Sequence, residues 1–165
     1  MSDAERHAHF ESAVGTLAPD LYRYAYWLSK DRQLAEDVVQ ETMIRAYKSL
    51  DQLRKAGSVK GWLFTIVRRE HARTFERKRL ETVDIDTPGL SDDSLGTTDF
   101  NHDVEAVRSA LAELDEDYRE PLVLQIMVGH SVKEIAELMD LGEGAVLTRL
   151  FRARKKLKTI LEERY

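Results

Sequence analysis

Between residues 81 and 103 the chain carries seven carboxylates (Glu81, Asp84, Asp86, Asp92, Asp93, Asp99 and Asp103) and not one Lys or Arg, with Pro88, Gly89, Gly96 and several Ser and Thr among them. The apolar residues of this stretch follow no helical or strand period, so it has no face to bury and reads as a flexible acidic linker. A chain of 165 residues interrupted there leaves two segments, 1–80 and 104–165, each long enough for one small core. Without the linker the net charge of −5 becomes +2, so the flanking segments can meet phosphate although the whole chain is acidic. A charged fraction of 33%, with only 3 Pro and 8 Gly, favours helices, and 42% hydrophobic content is enough to build cores. No segment of note alternates with a period of two. The expected fold is all-α: two small helical domains joined by a flexible acidic linker.

In the first segment, residues Leu17 to Leu28 form one amphipathic run. Asp31 is placed to cap a second helix, Arg32 to Leu50, and a loop from Asp51 to Gly61 leads into a third helix from about Val59 to Leu80. In the second segment, helices are expected from Val104 to Leu114 and from Asp117 to Val128, the latter ended by Gly129. Ser131-Val132-Lys133-Glu134 is then a capping box, Asp140-Leu141-Gly142 breaks the helix it starts, and a basic helix runs from Ala145 to Leu161. Two helices across so short a turn have the layout of a helix-turn-helix.

The faces of these helices separate by charge. At 100° per residue, Val146, Leu150, Ala153, Leu157 and Leu161 share one side of the last helix, and Thr148, Phe151, Arg152 and Lys155 lie opposite. Cations on the second helix of such a hairpin, away from its apolar anchor, suit docking in a major groove. On the Val59–Leu80 helix, Leu63, Val67, Thr74 and Phe75 are placed together, and opposite them Trp62, Arg69, Arg73 and Arg77 form a stripe, with Lys60, Arg68, Lys78 and Arg79 nearby. An aromatic ring at the head of a row of arginines fits single-stranded nucleic acid, because cations track phosphates while a ring stacks on bases. The Arg32–Leu50 helix differs: Ala35, Val38, Val39, Thr42, Ala46 and Leu50 share its core side, and Asp37, Gln40, Glu41 and Ile44 its outer side. Carboxylates repel phosphate, so that acidic face with an isoleucine in it suits a protein partner.

Nothing in the sequence has the pattern of a catalytic centre. The five histidines are scattered, and His7 and His9 are spaced so that they do not share a helix face as a metal pair would. There is no cysteine, which excludes disulfides and thiolate metal sites. No Ser/His/Asp set, glycine-rich phosphate loop or HExxH pattern is present. We therefore expect no catalysis, no metal, no cofactor and no small-molecule substrate. No apolar run reaches membrane-spanning length, and Met1 to Phe10 lacks a signal-peptide core, so the expected protein is cytoplasmic, with no membrane insertion.

Three stretches of the first segment, Leu21-Tyr22-Arg23-Tyr24-Ala25, Ala35-Glu36-Asp37-Val38-Val39-Gln40-Glu41-Thr42 and Gly61-Trp62-Leu63-Phe64-Thr65-Ile66-Val67, resemble the sigma-two domain of extracytoplasmic-function sigma factors. In the second segment, Ala110 to Leu114, Tyr118 to Leu124, Glu134 to Leu138 and Arg149 to Leu157 are similar to their sigma-four domain. The likeness runs in order along nearly the whole chain. It implies a subunit that binds bacterial core RNA polymerase, recognises promoter DNA and helps to melt it, usually under the control of an anti-sigma factor.

By position, the resemblance makes Asp37, Gln40, Glu41 and Ile44 the core-polymerase-binding face. The loop from Arg54 to Lys60, with Trp62, Arg69, Arg73 and Arg77, becomes the element that holds the melted minus-ten strand. Thr148, Phe151 and Arg152 become the major-groove readers of the minus-thirty-five element, and Arg149 and Lys155 join them in binding its DNA. The chain departs from the family's usual pattern at Arg69, where an Asn is common, and at Leu147, where a basic residue is common. Asp140, Gly142 and Ala145 also depart from it in and after the turn. Two other readings are a sigma-like decoy that binds an anti-sigma factor without initiating transcription, and a stand-alone repressor. The second is disfavoured because no dimerisation element is evident. An acidic linker could also repel stray DNA, or mimic it inside a polymerase channel.

Overall fold

The computed structural model describes residues 2–55, 58–81 and 102–164. Among them there is no strand, and the chain divides into two units, 1–87 and 88–165, each with its own core. The all-α, two-unit organisation expected from the sequence is the one observed. Residues 82–101, the body of the expected linker, lie outside the described residues.

The first unit is three helices packed on one another, α1 (Asp3–Ser29), α2 (Arg32–Lys48) and α3 (Val59–Glu81). Helix α1 starts at Asp3 rather than at Leu17, because a capping box holds its first turn. The Glu5 N–H donates to Ser2 Oγ at 3.2 Å and the Ser2 N–H to Glu5 Oε2 at 2.8 Å. The helix continues through Pro19, whose ring removes one backbone donor. It ends where Lys30 turns to φ 54°. Asp31 then caps α2 as expected, accepting from the Leu34 N–H at 3.1 Å. A 3-10 turn, Leu50–Lys55, occupies part of the expected loop. Ser58 Oγ accepts from the Gly61 N–H at 2.9 Å to hold the start of α3, and a Cβ on Gly61 would come within 3.2 Å of that hydroxyl. The core gathers Leu21, Tyr24, Val38, Leu63, Phe64 and Val67, with the Tyr24 and Phe64 rings 5.4 Å apart. Burial of each such side chain contributes about 2 kcal/mol, which is what fixes the angular position of α2 and α3.

The second unit contains α4 (His102–Glu113), α5 (Glu116–Val123), α6 (Val132–Met139) and α7 (Glu143–Arg164). Helix α5 runs on through one π-helical turn, Leu124–Val128, and Gly129 ends it at φ 81°, where the next N–H, that of His130, donates to Leu124 O at 2.9 Å. Arg119 is buried on α5 and donates from Nη1 to Leu114 O at 2.8 Å, satisfying a carbonyl at the end of α4. Burial pulls this guanidinium below its ordinary pKa, against the opposing pull of Glu116, Glu120 and Asp115. The Ser131 capping box forms as the sequence predicts, with Glu134 N–H to Ser131 Oγ at 3.1 Å and Ser131 N–H to Glu134 Oε1 at 2.9 Å. Asp140 adopts the left-handed conformation at φ 54°, the one its turn requires.

Candidate nucleic-acid interface

Helix α7 is seated by the residues its period assigns to the core. Val146, Leu150 and Ala153 are buried, and Leu157 and Leu161 are half-buried. Opposite them Thr148, Phe151, Arg152 and Lys155 are exposed, Phe151 by 69%. The Thr148 hydroxyl is occupied internally, donating to Gly144 O at 3.0 Å, so its methyl and its lone pairs are what it offers outward. Arg149 is half-buried, with Nη1 3.6 Å from Asp117 Oδ1 of α5. The other cations are also drawn inward or along the helix: Arg154 bonds Gln125, Lys156 lies 4.4 Å over the Tyr118 ring, and Arg164 pairs with Glu113. Arg152 and Lys155 have no partner among the described residues. Leu147, at 56% exposure, extends the Phe151 patch one turn back.

Helix α3 presents its stripe differently. Arg69, Arg73 and Arg77 are exposed, and Lys60 and Trp62 are half-buried. Trp62 stands edge-on to Phe10 of α1, with ring centroids 6.4 Å apart, and part of the half-buried indole stays accessible. Phe75 is not on the core side as expected. It is 51% exposed and stacks on His71 at 5.9 Å, because the last turns of α3 run past the helices that cover its first half. Glu70 and His71 are buried instead. Glu70, only 3% exposed, has Oε1 2.5 Å from Arg45 Nε of α2 and 3.5 Å from Arg73 Nη1. Both sit three or four positions after Val67, so the helical period already put them on the inward side. The side chains of Arg54 and Lys55, and residues 56–57, fall outside what is described, so the expected Arg54–Lys60 loop is described only from Ser58.

On α2, Ala35, Val38, Thr42 and Ala46 are buried as expected, and Val39 is half-buried. On the outer side Gln40 is exposed and Asp37 is half-buried, its Oδ1 accepting from Gln33 Nε2 at 3.2 Å. Glu41 is half-buried, with Oε1 3.5 Å from Arg45 Nε, and Ile44 is 45% exposed. Tyr47, absent from the sequence-based set, lies one turn after Ile44 with more than half its surface exposed, and stands edge-on to His7 at 5.4 Å. Its spacing of three from Ile44 was the available signal.

This distribution, an acidic face with an apolar pair on α2 and basic stripes on α3 and α7, accompanies a match to two family profiles. Sigma-70 region 2 matches residues 13–81, and Sigma-70, region 4 matches residues 104–157. The chain belongs to the ECF sigma factors of RNA polymerase. It is 34% identical to the ECF RNA polymerase sigma factor SigM of Bacillus subtilis over 86% of this chain and 88% of that protein. It is 32% identical to EcfG of Rhodopseudomonas palustris over 87% of this chain and 80% of that one. Among solved structures it is similar to the sigma factor RpoE of Bartonella quintana, crystallised with the anti-sigma factor NepR. That match has a TM-score of 0.80 and 28% identity, and covers 93% of this chain and 97% of that one. The region 2 match begins ten residues inside α1, so the first turns of that helix, with Phe10 and its contact to Trp62, lie outside the matched span of this sigma factor. Among the described residues, no helix is long and apolar enough to cross a membrane.

Proposed function

We propose that this sigma factor binds core RNA polymerase through the outer face of α2, holds the melted minus-ten strand along α3, and reads the minus-thirty-five duplex with α7. The observation that carries this reading is the sorting of exposed charge against buried anchors. Asp37, Gln40, Glu41 and Ile44 face outward on a helix whose other side is core. That mixture of carboxylate, amide and aliphatic surface suits a basic protein groove and repels DNA. Lys60, Arg69, Arg73 and Arg77 offer cations spaced along a helix beside the partly accessible Trp62 ring, which suits a strand whose bases have left the stack. Thr148, Phe151, Arg152 and Lys155 project from the second helix of the hairpin, where Arg152 can pair with a guanine edge and Phe151 can meet a thymine methyl. Arg149, turned toward Asp117, serves phosphate positioning rather than base readout.

Two domains on a tether gain from effective concentration when both elements of a promoter are present. The protein acts in the cytoplasm and by binding alone, with no chemistry, cofactor or small-molecule substrate of its own. An anti-sigma factor that covers these faces would silence it, and the likeness to RpoE in its complex with NepR supports such control. The test is in vitro transcription with bacterial core RNA polymerase on a library of genomic fragments. Defined starts should appear with the protein and vanish for the Asp37→Ala, Gln40→Ala double variant. Failure of the purified protein to associate with core polymerase would sink the reading.

A further inference from the structure

Glu70 is a buried carboxylate between two interfaces. Its Oε1 lies 2.5 Å from Arg45 Nε and 3.5 Å from Arg73 Nη1, and Arg45 Nε lies 3.5 Å from Glu41 Oε1. Four alternating charges, Glu41, Arg45, Glu70 and Arg73, therefore lead from the acidic face of α2 to the basic stripe of α3. The inner member is shielded from water, where a carboxylate attracts its cations more strongly than at the surface. The outer cation, with 54% of the Arg73 side chain exposed, is open to a competing anion. Both Glu70 Oε2 and Arg45 Nε are buried without a hydrogen-bond partner among the described residues, so Arg45 meets Glu70 and Glu41 as a counter-ion and not yet through a hydrogen bond from Nε.

We propose that Glu70 is a positioning residue that holds Arg73 back from nucleic acid until polymerase engages Glu41. The inference rests on the reading above that Glu41 belongs to the polymerase-binding face and Arg73 to the minus-ten stripe. When a cation of polymerase pairs with Glu41, Arg45 loses its outer counter-ion and turns fully to Glu70, whose unpartnered Oε2 accommodates a bidentate pairing. Glu70 is then neutralised from the α2 side, its hold on Arg73 weakens, and the guanidinium is released to a phosphate. The coupling is reciprocal, so strand bound at Arg73 favours the Arg45–Glu70 pairing and leaves Glu41 available to polymerase. A buried ion pair that merely clamps α2 to α3 would not produce this behaviour: its loss would lower stability and leave strand binding unimproved.

The test is fluorescence anisotropy of a labelled single-stranded oligodeoxynucleotide with the full-length protein, without polymerase. Glu70→Gln keeps the side chain's shape and removes its charge, and binding should tighten on the order of fivefold, the range of a charge-assisted contact partly offset by solvent. Glu41→Gln, a substitution at the surface that mimics engagement, should tighten it about twofold, the scale of an exposed ion pair. Both gains should disappear in an Arg73→Ala background. If Arg73→Ala weakens binding while neither glutamine variant tightens it, the inference is overturned and the stripe reading stands. If Arg73→Ala has no effect, the placement of Arg73 on the strand is wrong and the inference falls with it. Should Glu70→Gln fail to fold, Glu41→Gln decides alone.

Discussion

Helices α3 and α7 each carry a dense row of cations, and the two rows are held in opposite ways. In α7 the apolar anchor runs from Val146 to Leu161, and Arg149, Arg154 and Lys156 are tied to α5 and its π-helical continuation, leaving Arg152 and Lys155 to point outward from a fixed frame. In α3 the apolar anchor ends at Val67 and the buried side at Glu70 and His71, the later turns are largely exposed, and Arg69 and Arg77 have no partner among the described residues. A duplex presents base edges at fixed positions, so a reader of it gains from side chains that start from a firmly anchored helix. A melted strand has no fixed geometry, and loosely held arginines follow it with little penalty for misfit. The difference in packing thus parallels the proposed division between the two promoter elements.

Removing the frame of one helix should separate the two rows most strongly. Leu150 is 1% exposed beneath α7, and Leu150→Ala should destabilise the second unit by about 3 kcal/mol through lost burial and a residual cavity. Hydrogen exchange should show protection lost across α4 to α7, and minus-thirty-five binding should fall while single-strand binding by α3 persists. Equal loss of both would mean that the two rows do not act separately.

Within α7 two arginines differ in freedom. Arg152→Ala should weaken binding of the holoenzyme to the upstream duplex by about 1–3 kcal/mol and relax the preference at one base pair. Arg149→Ala should weaken it by less than about 1 kcal/mol, without a change of preference, because Asp117 already holds that side chain. Competition binding against single-base variants of the site measures both effects, and reversed magnitudes would assign base readout to Arg149. On α3, by contrast, Arg69→Ala and Arg77→Ala should each lower affinity for every strand sequence alike. Each should flatten the salt dependence by about 0.7 in slope, as expected for one phosphate contact on a single strand. A sequence-selective loss would contradict the loose-stripe picture.

Period and capping chemistry made much of this legible in the sequence. Asp31, the Ser131–Glu134 box and Gly129 mark helix ends by local chemistry, and local chemistry survives tertiary context. The anchor of α7 was legible because five apolar residues repeat on one side of a long helix. The first half of α1 has no apolar stripe to announce it among His7, His9 and their polar neighbours, although Ser2 and Glu5 spell the same box as Ser131 and Glu134. Phe75 departs from its expected side because a period names a face but not whether a neighbour reaches it. The π-helical turn at Leu124–Val128 shifts register inside a helix, which composition does not announce. The pairing of Glu70 with Arg45 joins two helices whose relative rotation only packing decides.

The smallest predicted effect bears on why α7 begins as it does. Gly144 lies in its first turn, in a helical conformation, and a Cβ added there meets nothing within 4 Å. Glycine in a helix is less favourable than alanine by about 0.5–1 kcal/mol, so nothing inside the protein explains its presence. Gly144 shares the outward side with Thr148, Phe151 and Lys155 by helical spacing, and a local rule broken without internal compensation points to a contact outside the chain. Gly144→Ala should therefore raise the stability of the second unit by about 0.5 kcal/mol while lowering affinity for the minus-thirty-five duplex, because in the proposed docking the methyl intrudes where the helix would enter the groove. Thermal unfolding and duplex titration on the same preparation read the two effects. Stability and affinity rising together would place the start of α7 away from DNA and shift the reading surface toward Arg152 and Lys155.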